Sequence, residues 1–359
     1  MFTKKDTNFC KGIAVILLLF HHLFNDYEEY AGYPVSYFPL TGERIHFFAL
    51  LAKICVAIFV FLSAYGIAYT YQRQFPKRLP EKKELCSFVF RRYWKLMSAY
   101  WAAFALSVIC QPFGRTMIDV YGKDLKASIL YFIFDFFGVS YIFSTPTLNE
   151  AWWYMSLAQA IILLVPLLMM LEKKIGIVYP TVLLIVMMYF TRLVNPDIVY
   201  FVTMNLGVLC CVCNVFERYG KLWQDKRFGV LFKTLIAGAG FLIALSFRFS
   251  YNYFGLSDAF TAMFLALLVN TALIRIPVVT QVLQYLGKHS GNMFHVHNQM
   301  YSYYFLGFFY SFQNWFLILL VLTAASLLVS IVMEWLKRVI RYNEFMDKIC
   351  NKITAGGPS

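Results

Sequence analysis

An all-α, polytopic membrane helix bundle is the fold class this sequence predicts, and three observations carry that expectation. The first is composition: 60% of the 359 residues are hydrophobic and only 14% are charged, where soluble domains sit near half apolar and about a quarter charged. The second is the mean hydropathy of +0.61, concentrated in runs of the length a bilayer core demands. The third is that Lys and Arg gather between those runs. The runs predict about ten transmembrane helices over residues 10–26, 47–71, 92–110, 151–171, 176–193, 198–215, 229–247, 257–275, 293–310 and 314–337, plus one interfacial or re-entrant helix. The expected domain organisation is a single integral-membrane domain, residues 1–351, with a disordered tail at 352–359.

The charge balance of +13 would suggest nucleic acid in a soluble protein. In a membrane protein it marks cytoplasmic loops, so the lipid bilayer is an expected partner and nucleic acid is not. The first apolar run lacks a small-residue cleavage site, so a retained helix is expected in place of a signal peptide. Most of the eight cysteines lie inside apolar runs, as at Cys55, Cys110, Cys210, Cys211 and Cys213. Their spacing suggests helix packing and no metal site.

The stretch KGIAVILLLFHHLFND, residues 11–26, organises the chain. Lys11 and His22 are eleven positions apart, close to three full helical turns, so both project from one face about 16 Å apart along the axis. His21 points about 100° away from that face. Asp26 follows His22 by four residues, where a continuing helix would let it orient the imidazole. A lysine and a histidine on one stripe of a membrane helix are costly unless the stripe faces a cavity. The alternative for His22 is a side chain that merely caps the helix end.

In the second run, Lys53 reads equally well as a cavity residue or as a snorkelling one. The segment 72–95 carries eight Lys and Arg residues and is expected in the cytoplasm. At its end Arg92 and Lys95 are three apart and share a face if the third helix has already begun there, while Arg91 points elsewhere. They are either a cationic flank or a phosphate clamp. The run 127–143 holds Asp135 near its middle. If it does not span, both termini and the later basic loops all fall inside, so it is expected to lie on or dip into the outer face. The segment from 149 begins with Trp152 and Trp153, an interfacial pattern. The outer loop 27–46 is rich in Tyr, Glu and His, also as an interfacial belt, with substrate recognition as the second reading. Three of the six histidines fall in 286–300. His295 and His297 face different ways on a helix and make a poor metal pair, so no metal site is expected. His297 is the candidate cavity residue, and His289 is expected in the preceding loop.

Several of these stretches resemble the bacterial acyltransferase family three, multi-span membrane O-acyltransferases that act on cell-surface polysaccharides. KGIAVILLLFHH is similar to the family's opening helix, with its basic residue and histidine at Lys11 and His22. IFVFLSAYG resembles the second-helix stretch; Ser63 matches and Ala64 replaces a glycine. In FVFRRYWKLMSAY, Arg92 and Lys95 fit the basic pair, while Ala99 stands where proline is common. AWWYMSLAQAIILLVPLL and LGKHSGNMFHVH resemble the family's tryptophan segment and its late stretch ending in histidine. Where many members carry an acidic residue after the tryptophans, this chain has Ala158 and Gln159.

The resemblance implies an enzyme that moves an acyl group, most often acetyl, from cytoplasmic acyl-coenzyme A to a hydroxyl of an extracytoplasmic or lipid-linked polysaccharide or glycoside. It implies no bound cofactor, acetyl-coenzyme A as cosubstrate, a polysaccharide or glycolipid acceptor, and a bacterial plasma membrane, in which loop charge expects both termini on the cytoplasmic side. On that reading His22 is the general base, Asp26 orients it, and Lys11, Arg92 and Lys95 bind the donor's phosphates. Ser63, Trp153, Tyr154, Ser290 and His297 line the supporting cavity. A covalent acyl-enzyme on Ser63 or His22 is an open alternative. The competing class is a flippase or exporter of a lipid-linked sugar, with the same cavity and no acyl-transfer chemistry. The acceptor, the acyl group and the oligomeric state stay open.

Overall fold

The computed structural model describes residues 2–76, 78–111, 116–190, 199–224, 226–251 and 254–355. Among them the chain is all-helical, with one isolated bridge between Ser36 and Asn314. Helix α1 (Lys4–Phe24) begins where sequence chemistry allows. The backbone N–H of Thr3 donates to Asp6 at 2.7 Å and that of Asp6 donates to the Thr3 hydroxyl at 3.3 Å. This reciprocal box satisfies two N–H groups that a helix start leaves open. Short α2 (Tyr27–Tyr30) and α3 (Gly42–Ala52) follow, then α4 (Ile54–Gln74) after a break at Lys53, which is exposed. Next come α5 (Lys82–Cys110), α6 (Met117–Tyr121) and α7 (Leu125–Phe136), a 3-10 turn at Glu150–Trp152, and α8 (Trp153–Ile175). Then α9 (Val178–Phe190) and α10 (Val199–Val212) precede α11 (Val215–Lys221), which bends 54° from α10 at a left-handed Asn214, a conformation asparagine tolerates better than most residues. The chain closes with α12 (Gly229–Tyr251), α13 (Phe254–Thr271), α14 (Pro277–Asn298), a π-helical turn at Gln299–Tyr304, α15 (Leu306–Tyr310), α16 (Trp315–Val339) and α17 (Tyr342–Ala355).

Six of the described helices are long and apolar enough to cross a membrane, or seven if α10 and α11 count as one bent span. The expected ten are therefore not all matched. The expected span 293–310 is interrupted, because α14 starts at Pro277 and gives way to the π-turn at Gln299. The span 92–110 lies in a 29-residue helix that begins in the basic segment at Lys82. The run 176–193 yields a 13-residue helix, with residues 191–193 outside the described residues. Apolar content was visible in these runs, and the breaks were not. Helix α7 has 12 residues, about 18 Å, too short to cross the hydrocarbon core as a helix. The tail expected from residue 352 also starts later, since α17 runs through Ala355; residues 356–359 lie outside the described residues.

The chain forms two compact units, each assembled from three stretches. The first comprises Met1–Val15, Lys53–Leu85 and Ile161–Lys288. In it the first turns of α1 lie backbone to backbone against α14. A Cβ at Gly12 would collide with the carbonyl oxygen of Leu283, and one at Gly287 with that of Asn8. Small residues let apolar helices approach so closely that van der Waals packing replaces the missing hydrophobic drive. Between α12 and α13, Arg248 and Asp258 form a buried ion pair at 2.6 Å. The same two helices line an apolar cavity of about 590 Å³.

The second unit comprises Ile16–Ala52, Cys86–Ala160 and His289–Ser359. Its hydrophobic core includes Tyr100, Phe104, Tyr121, Trp152 and Met155. Helix α17 docks on α5 through three contacts. Arg91 donates to Asn351 and Thr354, both at 2.8 Å; Trp94 Nε1 donates to the Met346 carbonyl at 2.9 Å; and the Tyr342 hydroxyl donates to the Ser98 carbonyl at 2.8 Å.

Candidate active site

The C-terminal end of α1, in the second unit, is built to hold a histidine. A helix end leaves four carbonyls without intrahelical partners. Here each of the last four is met. His21 O accepts from Asn25 N at 2.9 Å, and His22 O from the Tyr301 hydroxyl at 3.0 Å. Leu23 O accepts from the Tyr310 hydroxyl at 2.7 Å, and Phe24 O from His46 Nδ1 at 3.2 Å. The side chains of the two adjacent histidines then diverge. His21 is buried, with Nδ1 2.8 Å from the Ala49 carbonyl on α3. His22 is half-buried and faces the last turn of α14.

There it meets His297, ring centroids 4.9 Å apart. Two positions proposed from separate ends of the sequence thus come together. His297 is fully buried. Its Nδ1 lies 2.8 Å from the Phe294 carbonyl. A carbonyl only accepts, so this contact assigns the proton to Nδ1 and leaves Nε2 as a bare lone pair. Nε2 has no hydrogen-bond partner. His295 turns the other way, against Tyr100 at 5.7 Å and Trp152 at 6.4 Å.

The backbone around this pair is held from outside the helix. The His295 carbonyl accepts from Asn149 Nδ2 at 3.0 Å and from Trp152 Nε1 at 3.2 Å. Asn149 is fully buried and its Oδ1 also accepts from Asn298 Nδ2 at 3.2 Å. Asn149 is anchored by its neighbours: Thr147 Oγ1 and Leu148 N both donate to Asp135, each at 2.7 Å. Asp135 further receives the Tyr121 hydroxyl at 2.7 Å and Ser140 Oγ at 3.3 Å. Sequence reasoning missed Asn149, Trp152 and Tyr301. The cue available for the first was Asn149 ahead of an apolar run, since asparagine at that place caps a helical turn.

The other proposed residues fall as follows. Asp26 does not extend the His22 stripe. Helix α1 ends at Phe24, and the Asp26 carboxylate instead accepts from Glu28 N at 3.0 Å as the N-cap of α2. His289 is not in a loop but within α14, its Nδ1 2.9 Å from Ser330 Oγ. Arg92 and Lys95 lie well inside α5, so the condition for their shared face is met; Arg92 is half-buried with its guanidinium 5.3 Å from the Phe88 ring centroid, and Lys95 is exposed. Lys11 is half-buried on α1. Tyr154 packs on Phe294 at 5.5 Å, one turn before His297, and Trp153 packs on Tyr141. Ser290 is buried on α14, and Ser63 is half-buried on α4 in the first unit. Gln159, in the neighbourhood of the missing acid, donates to the Phe137 carbonyl at 2.8 Å and closes the turn after α7.

Two histidines in contact inside an apolar helical protein, one with a bare nitrogen, suit proton transfer at neutral pH. A family model described as an acyltransferase domain, that of acyltransferase family 3, matches residues 5–335. The chain belongs to this family. It is an acyltransferase. No curated protein and no solved structure matches it. The match runs from the first turn of α1 to near the end of α16, so it takes in both α1 and the late histidines.

Proposed function

We propose that this acyltransferase moves an acyl group, acetyl first among the candidates, from acyl-coenzyme A to a hydroxyl of an extracytoplasmic or lipid-linked polysaccharide or glycoside. The contact of His22 with His297 at 4.9 Å carries the reading. In the step, the acceptor oxygen bonds to the thioester carbonyl carbon and the carbon–sulfur bond breaks. His22 takes the hydroxyl proton and returns it to the leaving thiolate, so no net proton is consumed. His297, held by the Phe294 carbonyl, lies beside the imidazole that does this. Arg92 and Lys95 are assigned to the donor's phosphates, one as a fork and one as a point charge. Lys11, about 16 Å before His22 along α1, is the third cation assigned to the donor, a spacing comparable to a pantetheine arm. The family points to a bacterial plasma membrane, loop charge favours both termini in the cytoplasm, and a reporter fused after Asn351 checks that side.

The test is coenzyme A release from acetyl-coenzyme A in proteoliposomes, with label followed into a surface glycan extract, for wild type and His22→Ala. Loss of both in the variant, with folding and donor binding retained, is the expected result. Full activity in the variant would move the base elsewhere. No turnover in wild type, alongside glycolipid-dependent transport, would favour a carrier.

A further inference from the structure

The loop after α1 places a carboxylate at the edge of the histidine pair. Glu29, on α2, is half-buried. The Tyr301 hydroxyl lies 3.4 Å from its Oε2 and 3.0 Å from the His22 carbonyl. A phenol has one proton, and the shorter contact claims it. That leaves the Ser302 hydroxyl as the donor to Glu29. An ionised carboxylate offers about four lone-pair sites, so most of its capacity is open. The second observation is independent of Glu29: the buried Nε2 of His297 has no partner, and the His297 ring stacks on Tyr301 at 6.5 Å. An open acceptor and a bare base thus flank one tyrosine. Beside them Tyr27 is 60% exposed and packs edge-on against Tyr30, which presents an aromatic face. Glu29 also feels the negative charge of Asp26 and Glu150.

We infer that Glu29 is an acceptor-binding residue. It grips a hydroxyl next to the one that reacts, in a neutral polyol such as a pyranose with a free vicinal diol. The surrounding carboxylates disfavour an anionic sugar at the same place, because like charges repel where solvent screening is incomplete. The inference rests on the acyl-transfer reading for which hydroxyl reacts, but binding of the polyol can be measured without turnover.

The experiment uses the full chain in detergent and saturation-transfer NMR with neutral methyl pyranosides (gluco, galacto and manno) and methyl glucopyranosiduronate. Wild type should bind at least one neutral pyranoside and bind the uronate more weakly. Glu29→Gln, which keeps size and shape, should weaken the neutral pyranoside about tenfold, the worth of a charged hydrogen bond, and narrow the preference against the uronate. Affinity for acetyl-coenzyme A should not change. Equal pyranoside binding by wild type and Glu29→Gln, or no binding by wild type, would overturn the inference. Coenzyme A release by wild type is read in parallel. Its absence, with pyranoside binding lost in Glu29→Gln, would sink the acyl-transfer reading and leave the binding site standing.

Discussion

The tip of α1 and the knot around Asp135 lie in the same compact unit and treat buried polar groups in opposite ways. At Asp135 the carboxylate receives Thr147, Leu148, Tyr121 and Ser140, and the Tyr100 hydroxyl donates to the Asp135 backbone carbonyl at 2.6 Å. Nothing is left over for a ligand. At the tip of α1 the backbone is equally well met, yet His297 Nε2 stands bare and Glu29 is short of donors. Burial by itself does not mark a site. Leaving a buried acceptor open costs about 1–3 kcal/mol, and His297 differs from His295, whose Nδ1 is equally bare, in that its ring lies against the half-buried His22.

The largest test of that contrast is His22→Ala. It should lower acyl transfer about 10²–10⁴-fold, or roughly 3–5 kcal/mol of transition-state stabilisation, with the unfolding midpoint unchanged. A comparable loss of stability would make the tip a packing feature like the knot. Asp135→Ala should do the reverse in kind. It strands several donors and should cost about 3 kcal/mol in denaturant unfolding, while donor affinity in the folded fraction holds. Tyr310→Phe removes the partner of the Leu23 carbonyl and should cost about 1 kcal/mol by the same assay.

The smallest effect concerns Glu29. Burial, reinforced by Asp26 and Glu150 and opposed by the Ser302 hydroxyl, holds its carboxyl above the ordinary carboxylate range. A carboxyl whose folded-state value is raised contributes its stability in full below the unfolded value and loses it as pH rises through the folded one. Replacing it with neutral Gln should therefore raise the melting temperature slightly at pH 7, and the difference should vanish near pH 4. A variant less stable than wild type at pH 7 would place Glu29 among the structural groups.

The residues themselves made the membrane bundle, the Lys11–His22 stripe and the family legible, because hydropathy runs and helical spacing are local properties. His297 was also picked out from the sequence, and the structure sets its ring against His22. The fate of Asp26 was not. It depends on where α1 stops, and that end is set by Tyr301, Tyr310 and His46, which come from elsewhere in the chain. The π-turn after Asn298 was likewise hidden, since the His295 carbonyl is claimed by Asn149 and Trp152 from about 145 residues earlier in the sequence. Glu29 could not be singled out, because its distinction lies in what Tyr301 gives to a neighbouring carbonyl.

The docking of α17 on α5 has a practical consequence. Arg91 and Trp94 are held by Asn351, Thr354 and the Met346 backbone, and Arg92 and Lys95 share their turns of helix. The fourteen residues of α17 are therefore a handle on the turns of α5 that carry the cations proposed for donor binding. Truncation before Tyr342 would free Arg91 and change how these preparations respond to coenzyme A without touching any residue assigned to chemistry. A purification tag is better placed at the other terminus.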